Sequence, residues 1–184
     1  KEVSAKHLAS ASVAVIKDGI VVLAKGYGKA NLELGTAASS RTMYEIGSIS
    51  KQFTAVCVMI LAEHGKLSLE DAVSKHYKSA PVTWAKITIR HLLSQTSGLK
   101  DYTDIGDVKK MFRDHHTPDE LMKLVIPLPL AFQPGERWAY CNTNYFLLGL
   151  IVESVSGQTL EKFLTENVYS KTGMKVTRTT DPSA

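Results

Sequence analysis

Long apolar runs are missing from this 184-residue chain. The longest, residues 56–62 and 146–152, fall far short of the ~20 residues that a membrane-spanning helix needs, which excludes a helical membrane span. Cysteine is scarce too. The two present, Cys57 and Cys141, lie in apolar or motif-bearing segments and form no disulfide framework, so they read as buried free thiols, with a single bridge as the alternative. Arginine-rich runs and aromatic-basic stripes are absent, so the formal charge of +4 does not point to nucleic acid. Neither an internal repeat nor a low-complexity linker divides the chain, and its length suits one core, or one core with a small subdomain. His115-His116 near Asp119 and Glu120 match no ligand spacing and read as a solvated loop, so no metal site is expected. Lys1 opens the chain without an initiator Met or an apolar leader, the pattern of a chain starting after a removed leader, which leaves the compartment undecided.

What is present is a globular composition, 44% hydrophobic and 22% charged, with two kinds of periodicity. Two β-branched runs, residues 12–16 and 20–24, meet at Lys17-Asp18-Gly19, and Asp-Gly supplies the positive φ of a hairpin turn. Residues 1–10 read as the end of a helix packing on that hairpin. After Gly47 the period becomes helical, with Phe53, Val56, Cys57, Ile60 and Leu61 on one face, Ser48 opening the helix and Gly65 closing it. Ser68 is expected to cap a short helix, Thr88 to cap residues 89–95, and Pro118 to stand in the first turn of residues 118–125. Tyr145, Leu148, Ile151, Val152 and Val155 predict a helix over 143–156 ended by Gly157, and Thr159 caps a last one to about Asn167.

Ser48 and Lys51 carry the first chemical signal. A serine hydroxyl is a poor nucleophile at neutral pH and needs a proton acceptor and an oxyanion-stabilising site. Three residues apart on a helix, Ser48 and Lys51 share a face, and the N–H groups and dipole of the helix start favour an alkoxide or oxyanion. The second signal is Tyr140-Cys141-Asn142 before the 143–156 helix. A phenol and an amide two residues apart can both point into a cleft, although they also fit turn chemistry with Asn142 as the helix cap.

Gly47-Ser48-Ile49-Ser50-Lys51-Gln52-Phe53-Thr54, then His91-Leu92-Leu93-Ser94-Gln95-Thr96-Ser97-Gly98-Leu99, then Pro134-Gly135 leading to Tyr140-Cys141-Asn142-Thr143-Asn144-Tyr145, resemble in order and spacing the family of class C β-lactamases, D-alanyl-D-alanine carboxypeptidases and related esterases. The hairpin at 13–31 and Gly65-Lys66-Leu67-Ser68-Leu69 extend the likeness over almost the whole chain. The resemblance implies an α+β fold, helix-rich with an N-terminal antiparallel β-hairpin. It implies acyl transfer: Ser48 attacks the carbonyl of a β-lactam, peptide or ester, Lys51 and Tyr140 share general-base and general-acid work, and Asn142 orients Lys51 and the substrate amide. Tyr102, after the Ser97-Gly98 turn, is the best candidate for a wall contacting substrate. Gln95 stands where the family often has histidine or threonine. No cofactor is implied, the partner is a small-molecule or peptide carbonyl compound, and a periplasmic or secreted site is favoured.

The family's third element, Lys or His followed by a small residue and Gly on a late strand, has a decoy in Lys171-Thr172-Gly173. That segment follows a helix too soon after Asn142, and Gly173-Met174 resembles the family's turn rather than a strand, so Lys171 is not taken as catalytic. On this reading residues 1–184 are a single incomplete catalytic unit, with the hairpin region at 1–46 and the helical region at 47–184, lacking the C-terminal strands. Self-association or a missing C-terminal segment would complete the sheet, and a catalytically impaired fragment or a binding or scaffold protein is the alternative function.

Overall fold

Asp18 and Gly19 have φ of 51° and 77°, the pair of positive values that a tight primed turn requires, and they join β1 (Ser10–Lys17) to β2 (Ile20–Asn31). The computed structural model describes residues 8–106 and 116–179. β1 and β2 pair antiparallel from Ser10 opposite Gly28 to Lys17 opposite Ile20, with a register shift between Val15 and Ile16. A third strand that the periodicity does not reveal, β3 (Thr36–Ala37), pairs with β2 at Lys29 and Asn31. Two residues are too few to show an alternation. Leu8 and Ala9 are irregular and Ser10 begins a strand rather than ending a helix, while residues 1–7 of the helix expected at 1–10 lie outside those described. The sheet belongs to the first of two compact units, residues 1–47.

The second unit, residues 48–184, is helical. A 3-10 turn, Gly47–Ile49, leads into α1 (Ser50–Glu63), so Ser48 lies in the turn that precedes the regular helix. The buried stripe of α1 is Thr54, Cys57, Val58 and Leu61, while Val56 is exposed. The sequence predicts Val56 inside. Residues 55–62 are apolar almost without interruption, so their period does not single out a face, and packing against the neighbouring helix decides it.

Ser68 does not cap a helix. Its backbone N–H donates to Asp71 Oδ2 (2.9 Å) and its Oγ accepts from Glu70 N (3.2 Å), closing a turn before α2 (Val73–His76). Thr88 does cap α3 (Ile89–Leu93): its Oγ1 accepts from His91 N while His91 Nδ1 accepts from Thr88 N, which gives His91 a structural task. Thr117 caps α4 (Pro118–Val125) by the same reciprocal arrangement with Glu120.

α5 (Asn142–Ser156) ends at Gly157, whose φ of 69° is the left-handed C-terminal stop. Thr159 caps α6 (Leu160–Leu164), which continues through a π-turn, Thr165–Tyr169, into α7 (Ser170–Thr172). Lys171 is exposed on that helix and is not on a strand. The core joins Cys57, Val58 and Leu61 of α1 to Leu147, Leu148, Ile151 and Val152 of α5, with Trp84, Ile87, Ile89 and Leu92 alongside. Cys57 and Cys141 are both free and buried. Among the described residues no helix is long and apolar enough to cross a membrane.

Candidate active site

The 3-10 turn and first turn of α1, with the segment leading into α5, present the four residues singled out by spacing to one another. Lys51 Nζ, one turn along from Ser48, donates to Ser48 Oγ (3.0 Å) and to Asn142 Oδ1 (2.8 Å). Ser48 Oγ and the Tyr140 hydroxyl are 2.6 Å apart. Tyr140 OH also donates to Asn142 Oδ1 (3.3 Å), so hydroxyl, amine, phenol and amide close a ring of contacts. Ser48 and Tyr140 face solvent, whereas Lys51 and Asn142 are half-buried. A serine hydroxyl open to solvent beside a half-buried cation is an arrangement that can lose its proton to a neighbour and attack a carbonyl carbon.

Electrostatics favour the phenolate. The Lys51 ammonium beside it, then the Ser48 hydroxyl, hold the Tyr140 phenol below the usual tyrosine range, against the smaller opposing effects of burial and of Asp101. Lys51 Nζ lies 5.0 Å from the centre of the Tyr140 ring and 5.9 Å from that of Tyr145. Burial first, and then neighbouring groups such as Asp101 for Tyr102 and Tyr140 for both, push the phenols of Tyr145 and Tyr102 the other way. Of the three phenols, Tyr140 alone is shifted downward.

Local backbone chemistry holds the Tyr140 segment in place. Gln95 adopts φ of 62°, rare for a residue with a side chain, and its buried Oε1 accepts from Cys141 N (3.1 Å) and from Asn144 Nδ2 (2.6 Å). Its carbonyl accepts from Ala139 N (2.9 Å), so Gln95 clasps the chain on both sides of Tyr140. Ser97 Oγ donates to Asn144 Oδ1 (2.6 Å), and Thr143 Oγ1 accepts from Tyr102 N (2.9 Å) while donating to the Lys100 carbonyl (2.8 Å). Gly98, at φ of 78°, runs so close to the Phe132 carbonyl that a Cβ would overlap it. Cys141, not Asn142, stands at the N-cap of α5. Asn142 is the first helical residue, and its free N–H donates to Asp101 Oδ2 (2.7 Å).

Beside Lys51 and Asn142 opens a cleft of about 350 Å³, walled by Thr54, Tyr102, Tyr145 and Phe146. Tyr102 and Phe146 pack with ring centres 5.6 Å apart. The structure thus places Tyr102 on the Lys51 and Asn142 side of the site, while Ser48 and Tyr140 lie outside the lining of that cleft. Sequence reasoning missed Asp101, and it named Gln95, Ser97, Thr143 and Asn144 in the motifs without reading their supporting roles. The only local cue was the Asp101-x-Thr103 spacing, in which Asp101 Oδ1 accepts from Thr103 N (2.9 Å), and that turn says nothing of Asn142. Among the described residues no group of three or more His, Cys, Asp and Glu is placed to hold a metal; of the paired histidines, His115 lies outside those residues.

Comparison with known proteins places the chain in a family. A family model described as Beta-lactamase matches residues 1–184. The chain is 35% identical over 175 residues to Protein flp of Staphylococcus aureus strain MW2, covering 93% of this chain and 35% of that protein. Its structure superposes with a TM-score of 0.85 on the octameric penicillin-binding protein homologue from Pyrococcus abyssi, at 34% identity, over 95% of this chain and 41% of that one. With the penicillin binding protein from Bacillus halodurans the TM-score is 0.80 at 30% identity, over 93% of this chain and 52% of that one. The chain therefore spans about a third to a half of the length of these relatives. With a whole-length family match and a shared fold behind the constellation around Ser48, the chain belongs to the beta-lactamase family.

Proposed function

We propose that Ser48 is the nucleophile of an acyl-transfer site that opens a β-lactam, a D-Ala-D-Ala peptide or a small ester. The observation that carries the reading is the position of Ser48 Oγ, 3.0 Å from Lys51 Nζ and 2.6 Å from the Tyr140 hydroxyl. Tyr140, as phenolate, takes the Ser48 proton while Oγ forms a bond to the carbonyl carbon and the carbonyl π pair moves onto oxygen. Backbone N–H groups at the start of α1 face the resulting oxyanion. Collapse re-forms the carbonyl and breaks the bond to the leaving nitrogen or oxygen, which takes its proton from Tyr140. The acyl group is left as an ester on Ser48, and water or another acceptor removes it. Lys51 holds the phenolate by charge, and Asn142 Oδ1 holds Lys51.

On this reading residues 1–46 and 47–184 are parts of one catalytic unit whose remaining strands come from elsewhere, either from further chain or from a second copy. The second copy has a counterpart in the octameric assembly named for the Pyrococcus abyssi homologue. The remaining strands would also carry the second oxyanion donor, and a site without one acylates more slowly by a factor on the order of 10²–10³. Hydrolysis of p-nitrophenyl acetate by the protein and by Ser48→Ala tests the proposal. Release of nitrophenol by the parent and its loss in the variant support it, and equal rates for both remove Ser48 from the chemistry.

A further inference from the structure

The two ends of the Asn142 amide have nearly the same shape but opposite hydrogen-bonding character, and only one suits a cation. Oδ1 is the end turned to Lys51 Nζ, at 2.8 Å. What sets that orientation lies outside the four residues of the ring. Asp101 Oδ2 accepts from the Asn142 backbone N (2.7 Å) and from Asn142 Nδ2 (3.0 Å). Nδ2 also donates to Thr103 Oγ1 (3.3 Å), whose own hydrogen goes to Asp101 Oδ1 (2.9 Å). With Thr103 N on Oδ1 as well, the carboxylate accepts four hydrogen bonds, two at each oxygen. A carboxylate only accepts, so the end of the amide that faces it must be NH₂. A turned amide would set Oδ1 against the carboxylate and NH₂ against the ammonium, exchanging charge-assisted bonds for two repulsions.

We infer that Asp101 is a positioning residue of this site: it locks the Asn142 amide so that Oδ1 faces Lys51 and keeps the ammonium against Ser48 Oγ. The inference rests on the acyl-transfer reading of Ser48. It also competes with a plainer role, since Asp101 is the N-cap of the 3-10 turn Tyr102–Asp104.

Two variants separate the roles. Asp101→Ser keeps a capping hydroxyl for Thr103 N but neither reaches Asn142 nor carries charge, and Asp101→Asn keeps the shape while replacing one oxygen with NH₂. The first readout needs no turnover: the Tyr140 phenol is titrated by ultraviolet difference between each protein and the same protein carrying Tyr140→Phe, and Thr103→Val, which leaves the Asp101 charge in place, separates a turned amide from the loss of that charge. The groups facing that phenol are Lys51 and Ser48, with the Asp101 charge opposing them. Removing the Asp101 charge and freeing the amide to turn its NH₂ toward the phenolate moves the midpoint to lower pH. The second readout is acylation by a fluorescent penicillin, expected to slow about 10- to 100-fold in both variants, the usual cost of losing a partner that orients a directly acting group. Thr103→Val, which removes one of the amide's two partners, shifts both readouts in the same direction by less, and it decides the matter if the Asp101 variants fail to fold by circular dichroism. An unmoved phenol midpoint with acylation within twofold of the parent in Asp101→Ser makes Asp101 a cap and nothing more. Absence of acylation in the parent itself contradicts the Ser48 reading, while the phenol titration of Thr103→Val still decides whether the amide is locked.

Discussion

A phenol 2.6 Å from a serine hydroxyl and in the field of an ammonium gives up its proton more readily than a free tyrosine, and the proposed mechanism uses Tyr140 as the first base on that ground. The sign of the pH dependence follows. The phenolate fraction grows as pH rises through a pKa depressed below the usual value of about 10, so acylation rises with pH and levels off below that value. Tyr140→Phe removes this limb and slows acylation by about 10²–10⁴, checked by a pH profile of nitrophenyl-ester acylation. Ser48 and Lys51 were legible in the sequence because their relation is local, three residues on one face. Asp101 and Gln95 were not, because their partners Asn142, Cys141 and Asn144 stand 41 to 49 residues away and only the folded chain brings them together.

At the scale of elements, the site depends on how the 95–103 segment clasps the start of α5. Gly98 is where that clasp tolerates least change, since it combines a φ of 78° with close approach of the Phe132 carbonyl. Gly98→Ala is expected to destabilise the protein by about 2–4 kcal/mol in urea unfolding and to displace Tyr140, so that acylation falls with stability. The Ser68–Asp71 turn makes a separate prediction. Asp71 accepts from Lys75 Nζ (2.7 Å), Ser68 N (2.9 Å) and His76 Nε2 (2.8 Å), and these contacts, Lys75 first, hold its carboxyl well below the usual carboxylate range. A carboxylate with a depressed folded pKa adds stability that is present above its unfolded pKa of about 4 and is lost as pH falls further. Asp71→Asn therefore costs about 1–3 kcal/mol at pH 7, and its deficit narrows in denaturant titrations at pH 3. The capped helices α3, α4 and α5 were readable because caps and Gly stops are local signals. The buried face of α1, the two-residue β3 and the cap expected from Ser68 were not, because packing and pairing with distant segments decide them.

In the second unit α1 packs against α5, and the candidate site lies at the N-terminal starts of these two helices, beside their buried contact. Leu148 is fully buried in that contact, and Leu148→Ala is expected to cost about 2–5 kcal/mol by thermal or urea unfolding. The family was readable from the sequence because its motifs are short, ordered and widely spaced along the chain. Substrate choice was not, because pocket walls come from side chains scattered over several elements. The most direct test of the account is intact-mass measurement, with peptide mapping, after incubation with a β-lactam. A single acyl adduct on Ser48 in the parent and none in Ser48→Ala is the predicted result; the same adduct in both proteins, or an adduct mapped to another residue, would contradict it.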